Sequence, residues 1–105
     1  MISGEEFDKK YFTSGSYYNY KKILSGWVRP MARRISNFLR GKPLPKILDV
    51  GCGFGDLIAE LQDRYNFSVV GLEVSPYAIK KVRPSVKTKI KEGSILKLPF
   101  EKNDF

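Results

Sequence analysis

Gly51, Gly53 and Gly55 stand at alternate positions directly after the apolar run Ile47-Leu48-Asp49-Val50. A run of that kind ends a buried strand, and glycines there let the backbone turn sharply with no Cβ in the way. Asp56 to Tyr65 follows as a helix, with Leu57, Ile58 and Leu61 on its inner side. Phe67 to Glu73 reads as a second strand. Ser75-Pro76 then opens a second helix, Ser as N-cap and Pro at the first helical position. That helix runs to about Val82 and must end before Pro84. Val86 to Lys91 is expected as a third strand, with Val86, Thr88 and Ile90 on one side and Lys87, Lys89 and Lys91 on the other. The order β-α-β-α-β with short loops implies an α/β fold: a partial, doubly wound parallel sheet of about three strands with right-handed crossovers.

Ahead of it, residues 17–40 read as helix. Tyr20, Ile23, Leu24, Trp27, Val28, Met31, Ile35, Phe38 and Leu39 recur at three- and four-residue steps. Pro30 interrupts the pattern, so a kink or two helices are expected there. Gly41 and Pro43 mark the stop. Tyr11, Tyr17 and Tyr18 are open as lid residues over a ligand, and Tyr20 is expected to pack in the core. This gives an N-terminal helical segment, residues 1–44, and a ligand-binding segment, residues 45–105.

Composition narrows the function classes. No apolar run approaches the roughly 20 residues of a membrane span, so no membrane partner is expected. The polar N-terminus does not read as a secretory signal. A single cysteine, Cys52, excludes an internal disulfide. Together these favour the cytoplasm. The chain has no histidine, which removes the commonest general base and zinc ligand, and no metal site is expected. The net charge of +8 is uneven. Residues 1–46 hold ten Lys/Arg against three Asp/Glu, and the remainder nine against eight. Such a basic segment suits either a solvated helix face or nucleic acid, with Arg29, Arg33, Arg34 and Arg40 on phosphates.

The chemistry concentrates in the glycine run. The helix after it presents amide groups at its N-terminus, which suit a carboxylate. Glu73 ends the next strand, where a carboxylate can accept two hydrogen bonds from a ribose diol. Open sheets bind ligands at these carboxyl ends. A dinucleotide loop spaces its glycines G-x-G-x-x-G, whereas this one reads G-x-G-x-G with Asp49 two places ahead. Asp49 would repel a pyrophosphate and attract a cationic amine or sulfonium. S-adenosylmethionine has both, with a carboxylate for the loop amides, and is favoured over NAD. Cys52 reads as a small packed residue rather than a nucleophile.

Ile47 to Gly55 resembles the first motif of class I S-adenosylmethionine-dependent methyltransferases, which are Rossmann-like. Val70 to Ser75 is similar to their second motif, and Glu92 to Phe100 to their third. The resemblance covers roughly residues 45–105. It implies a cofactor site built from Asp49, Gly51, Cys52, Gly53, Gly55, Glu73, Val74, Ser94 and Ile95. In it Asp49, Gly51 and Gly53 would hold the methionine end, Glu73 the ribose, and Val74 the adenine face. Ser94 and Ile95 would line the adenine edge. Ser94 departs from the family's frequent Asp, so weaker adenine recognition or a bridging water is expected.

The family's sheet has seven strands, so the chain is expected to be truncated before the fourth, which normally pairs with Ile47–Val50. An exposed first-strand edge would then invite self-association. No catalytic base can be named, and the methyl acceptor stays open among small molecule, protein and RNA. The rival readings are a non-catalytic adenosyl-ligand or assembly module, an NAD-type oxidoreductase fragment, and a basic RNA-binding protein.

Overall fold

The computed structural model describes residues 15–101 and 104–105, with side chains from residue 26 onward. The expectations for Tyr11 and for the side chains of Tyr17, Tyr18 and Tyr20 lie outside the described residues. The elements in chain order are α1 (Gly15–Leu39), β1 (Lys46–Val50), α2 (Asp56–Tyr65), β2 (Ser68–Glu73), α3 (Pro76–Lys80), α4 (Pro84–Lys87) and β3 (Ile90–Glu92).

The strands form one parallel sheet in the order β1-β2-β3. Lys46 pairs with Ser68 and Val50 with Leu72, so β1 and β2 end at the same level. Glu73 pairs with Glu92 on the other side. Among the described residues β1 has a strand partner on one side alone. β2 lies between two neighbours, and Val69, Gly71, Leu72 and Glu73 along it are buried. Phe105 sits edge-on to Phe100, with ring centroids 5.1 Å apart, and Lys46 Nζ lies 5.5 Å from the Phe105 ring centroid.

The core joins both segments of the chain. Ala32 of α1 belongs to one buried cluster with Ile58, Ala59, Leu61, Val69, Val82, Val86 and Ile90. Burying one methyl group contributes about 0.8 kcal/mol, and Ile35 packs against the same cluster, so these contacts hold α1 on α2. α1 runs without a break through Pro30, so a single helix replaces the alternative of two. It stops at Leu39, and Gly41 follows with φ 77°, as the glycine there requires.

α3 is capped as the sequence implies. Ser75 Oγ accepts from the Ala78 amide at 3.0 Å, and Pro76 takes the first turn. The helix ends at Lys80 rather than near Val82.

The expected third strand over 86–91 is corrected. Pro84 to Lys87 forms the short helix α4, and the strand is confined to Ile90–Glu92. Arg83 is extended, with φ −62° and ψ 148°, as a residue before proline prefers. Pro84 then presets the first helical φ, and the Val86 and Lys87 amides both donate to the Arg83 carbonyl. Val86 and Ile90 are four apart, which satisfies a helical step as well as a strand alternation. Thr88 is exposed, so the alternation has no third buried member.

Candidate functional site at the carboxyl ends of β1 and β2

The glycine loop grows directly out of the sheet. After Val50, the Gly51 and Cys52 amides both donate to the Leu72 carbonyl, at 2.7 and 3.2 Å. The loop is thus stitched to β2 before it turns away. Gly51, Gly53 and Gly55 all have positive φ, 71°, 57° and 77°, a region that other L-residues rarely occupy. A Cβ built on Gly51 would meet nothing within 4 Å. The backbone there is open to an approaching group.

Gly55 serves differently. Its Cβ would lie 2.9 Å from Val86 Cγ1 and 3.3 Å from Ile90 Cδ1. The missing side chain makes room for the core rather than for a ligand. Gly55 is also the N-cap of α2, and it brings no side-chain cap. The first amides of α2 are left to other partners.

Glu73 reaches from the end of β2 across to the loop. Its Oε1 accepts from the Gly53 amide at 2.7 Å and its Oε2 from the Ser75 amide at 3.0 Å. Its own carbonyl accepts from the Gly93 amide at 2.9 Å. Glu73 is 6% exposed, so a carboxylate is held in the interior by fixed amide donors. The two signals separated by twenty residues in sequence therefore meet at one point. Because the Gly53 N–H is engaged, that residue can offer a ligand its missing side chain but not its amide.

Asp49 pairs in register with Gly71, one strand over and two residues back from Glu73. Among the described residues its carboxylate accepts no hydrogen bond. Burial pushes its carboxyl up to about 6, and the negative charge of Glu73 adds to the push. The pair makes an anionic corner beside an open backbone. A cation placed there would relieve both costs.

Cys52 packs against the core, half-buried. Burial, with the charges of Asp49 and Glu73, pushes its thiol up to about 12, which keeps it protonated and unreactive at neutral pH.

Val74 and Ile95 leave neighbouring strands at the same end of the sheet, and each is 63% exposed. Ser94 lies in a tight turn. Its hydroxyl accepts from the Leu96 amide at 3.1 Å, and its carbonyl from the Lys97 amide at 3.0 Å. All nine expected residues thus lie on the loop, or at or just beyond the ends of β1, β2 and β3.

One residue that shapes this corner was not singled out from the sequence. A Cβ on Gly71 would stand 2.6 Å from Ile58 Cδ1 and 2.7 Å from Cys52 Sγ. A glycine inside an apolar strand signals such a close approach.

Comparison with known proteins bears on the family of the chain. Residues 47–105 match the family model described as a methyltransferase domain. A 24-methylenesterol C-methyltransferase of Arabidopsis thaliana is 30% identical over 103 residues, which is 87% of this chain and 28% of that protein. A sterol 24-C-methyltransferase of Gibberella zeae is 35% identical over 71 residues, covering 61% of this chain and 19% of its own length. A demethylmenaquinone methyltransferase of Chlorobaculum tepidum is 33% identical over 82 residues, or 75% and 33%. The chain spans at most a third of each of these relatives.

Proposed function

The chain belongs to the methyltransferase domain family, and on that premise we propose that it is the S-adenosylmethionine-binding portion of a methyltransferase. The observation that carries the reading is the Glu73–Gly53 hydrogen bond, which joins the glycine loop to the end of β2. The residues present fit the cofactor. Asp49 supplies a carboxylate for a cationic amine or sulfonium, and the uncapped start of α2 suits the amino-acid carboxylate. Glu73 keeps further acceptor capacity on both oxygens for a ribose diol, since each carboxylate oxygen can take a second hydrogen bond. Val74 and Ile95 offer exposed apolar surface for a purine, and the Ser94 hydroxyl still has its own hydrogen to donate.

When bound, the cofactor supplies an electrophilic methyl group on a leaving sulfonium. The protein's part is to align that methyl with a nucleophile and to keep water out. Asp49, Glu73 and the loop perform the anchoring. The acceptor stays outside what these residues define. Names among the relatives refer to sterols and to demethylmenaquinone, and an acceptor with a large apolar body is the class we favour.

Two further parts belong to this reading. The outer edge of β1 supports self-association by strand pairing, and light scattering showing a strict monomer at high concentration would remove it. A cytoplasmic location rests on the lone cysteine, and cell fractionation checks it.

Isothermal calorimetry with S-adenosylhomocysteine tests the main proposal. Saturable binding that NAD does not compete away supports it. No binding, or displacement by NAD, overturns it. Binding without transfer to any acceptor favours the non-catalytic module.

A further inference from the structure

α1 carries more apolar surface than its packing uses. At about 100° per residue, Val28, Ala32, Ile35 and Leu39 fall on one side of the helix. That side faces the core: Ala32 is buried and Ile35 packs against the cluster. Trp27, Met31 and Phe38 fall within about 40° of one another, roughly 90° round from the first group. They are 58%, 37% and 72% exposed. The apolar arc of α1 is thus wider than the part that joins the core, and its flanking stripe lies on the surface.

The charge along this stretch of sequence is of one sign. Residues 15–42 contain seven Lys/Arg and no Asp or Glu. Arg34 follows the stripe directly on the wheel, and Lys42 Nζ lies 3.8 Å from the centroid of the Phe38 ring. Among the described residues, the acidic groups that face α1 come from α2, where Asp56, Glu60 and Asp63 line a cleft with Val28 and Arg29. Those acids flank the packed side, away from the stripe. Among the described residues the ion pairs are Arg64–Glu60 and Arg83–Asp56, and neither draws on α1.

We infer that α1 docks the protein on an anionic lipid surface, with Trp27, Met31 and Phe38 entering the headgroup boundary and Arg34 and Lys42 on the lipid phosphates. A basic helix with an aromatic and aliphatic stripe has this physics. The complementary charge favours an anionic surface over a neutral one, and the linear apolar stripe favours lipid over nucleic acid. No helix among the described residues is long and apolar enough to cross a membrane, so the mode is peripheral. The expectation of no membrane partner rested on span length alone, which does not address this mode.

Trp27 is the only tryptophan, so the chain carries its own reporter. Its fluorescence is followed on titration with vesicles of phosphatidylcholine and phosphatidylglycerol, with pure phosphatidylcholine vesicles and a single-stranded RNA as parallel arms. The expected result is a blue shift and quenching by brominated acyl chains on the anionic vesicles alone. Arg34→Gln with Lys42→Gln should weaken partitioning roughly twentyfold, with far-UV circular dichroism unchanged. Phe38→Ser should weaken it about tenfold. The docking proposal is overturned by no shift on anionic vesicles, by an equal shift on neutral ones, by a shift with RNA alone, or by one that tracks protein concentration without lipid. S-adenosylhomocysteine binding is read separately, so this result and the cofactor reading fail independently.

Discussion

Asp49 and Glu73 end adjacent parallel strands, carry the same charge, and live in opposite circumstances. Glu73, on the strand flanked by two others, gives each oxygen to a backbone amide. Asp49, on the edge strand, is partly buried yet takes no amide from any described residue. The first carboxylate is structural in the free protein, since it fastens the loop to the sheet. The second is a cost that the fold bears, and a bound cation would remove it. The acceptor capacity of this candidate site is therefore half spent and half held open.

Three experiments press on that contrast. The largest effect is expected for Glu73→Ala, which leaves the Gly53 and Ser75 amides unmet. Unfolding free energy should fall by about 3 kcal/mol in urea titrations, whereas Asp49→Ala should not destabilise at neutral pH. Equal losses would erase the distinction.

The second uses pH. The folded state holds Asp49's proton up to about 6, against an ordinary value of 3.8. Between those values the native protein binds more protons than the unfolded chain, so this group's contribution falls as pH rises through the window. The decline should reach roughly 2–3 kcal/mol by neutral pH and flatten in Asp49→Asn. Binding of a cationic methyl donor should run the other way, strengthening as pH rises through about 6.

The third is Gly71→Ala, which forces a methyl toward Ile58 and Cys52. A loss of about 1–2 kcal/mol is expected, with weaker S-adenosylhomocysteine binding because the loop must shift. Unchanged affinity in that variant would show the loop to be independent of β2.

Much of this corner was legible in the sequence because backbone demands are written in residue type. Gly51 and Gly53 announce a bend, and Ser75-Pro76 announces a capped helix start, as found. Glu73 was read as a ligand group, and its tie to Gly53 was not foreseen, because a contact over twenty residues leaves no local pattern. Gly55 was read with its neighbours, but its bareness answers to Val86, a partner set by the crossover. The strand expected over 86–91 failed where Val86 and Ile90 fit both periods and Pro84 decided locally for helix. The stripe on α1 blended two sides of one helix, since three- and four-residue steps group Trp27 and Phe38 with Ile35 until solvent exposure separates them.

Pro30 lies inside a continuous helix and has no N–H to give. The carbonyl of Gly26, one turn earlier, therefore lacks its usual rung, and Gly26 itself is a poor helix former with nothing packed where a Cβ would sit. The longest rod of the molecule is thereby scored across its middle. Amide exchange should be quickest around this notch, and the half that carries Ala32 should stay closed longer than the half before it.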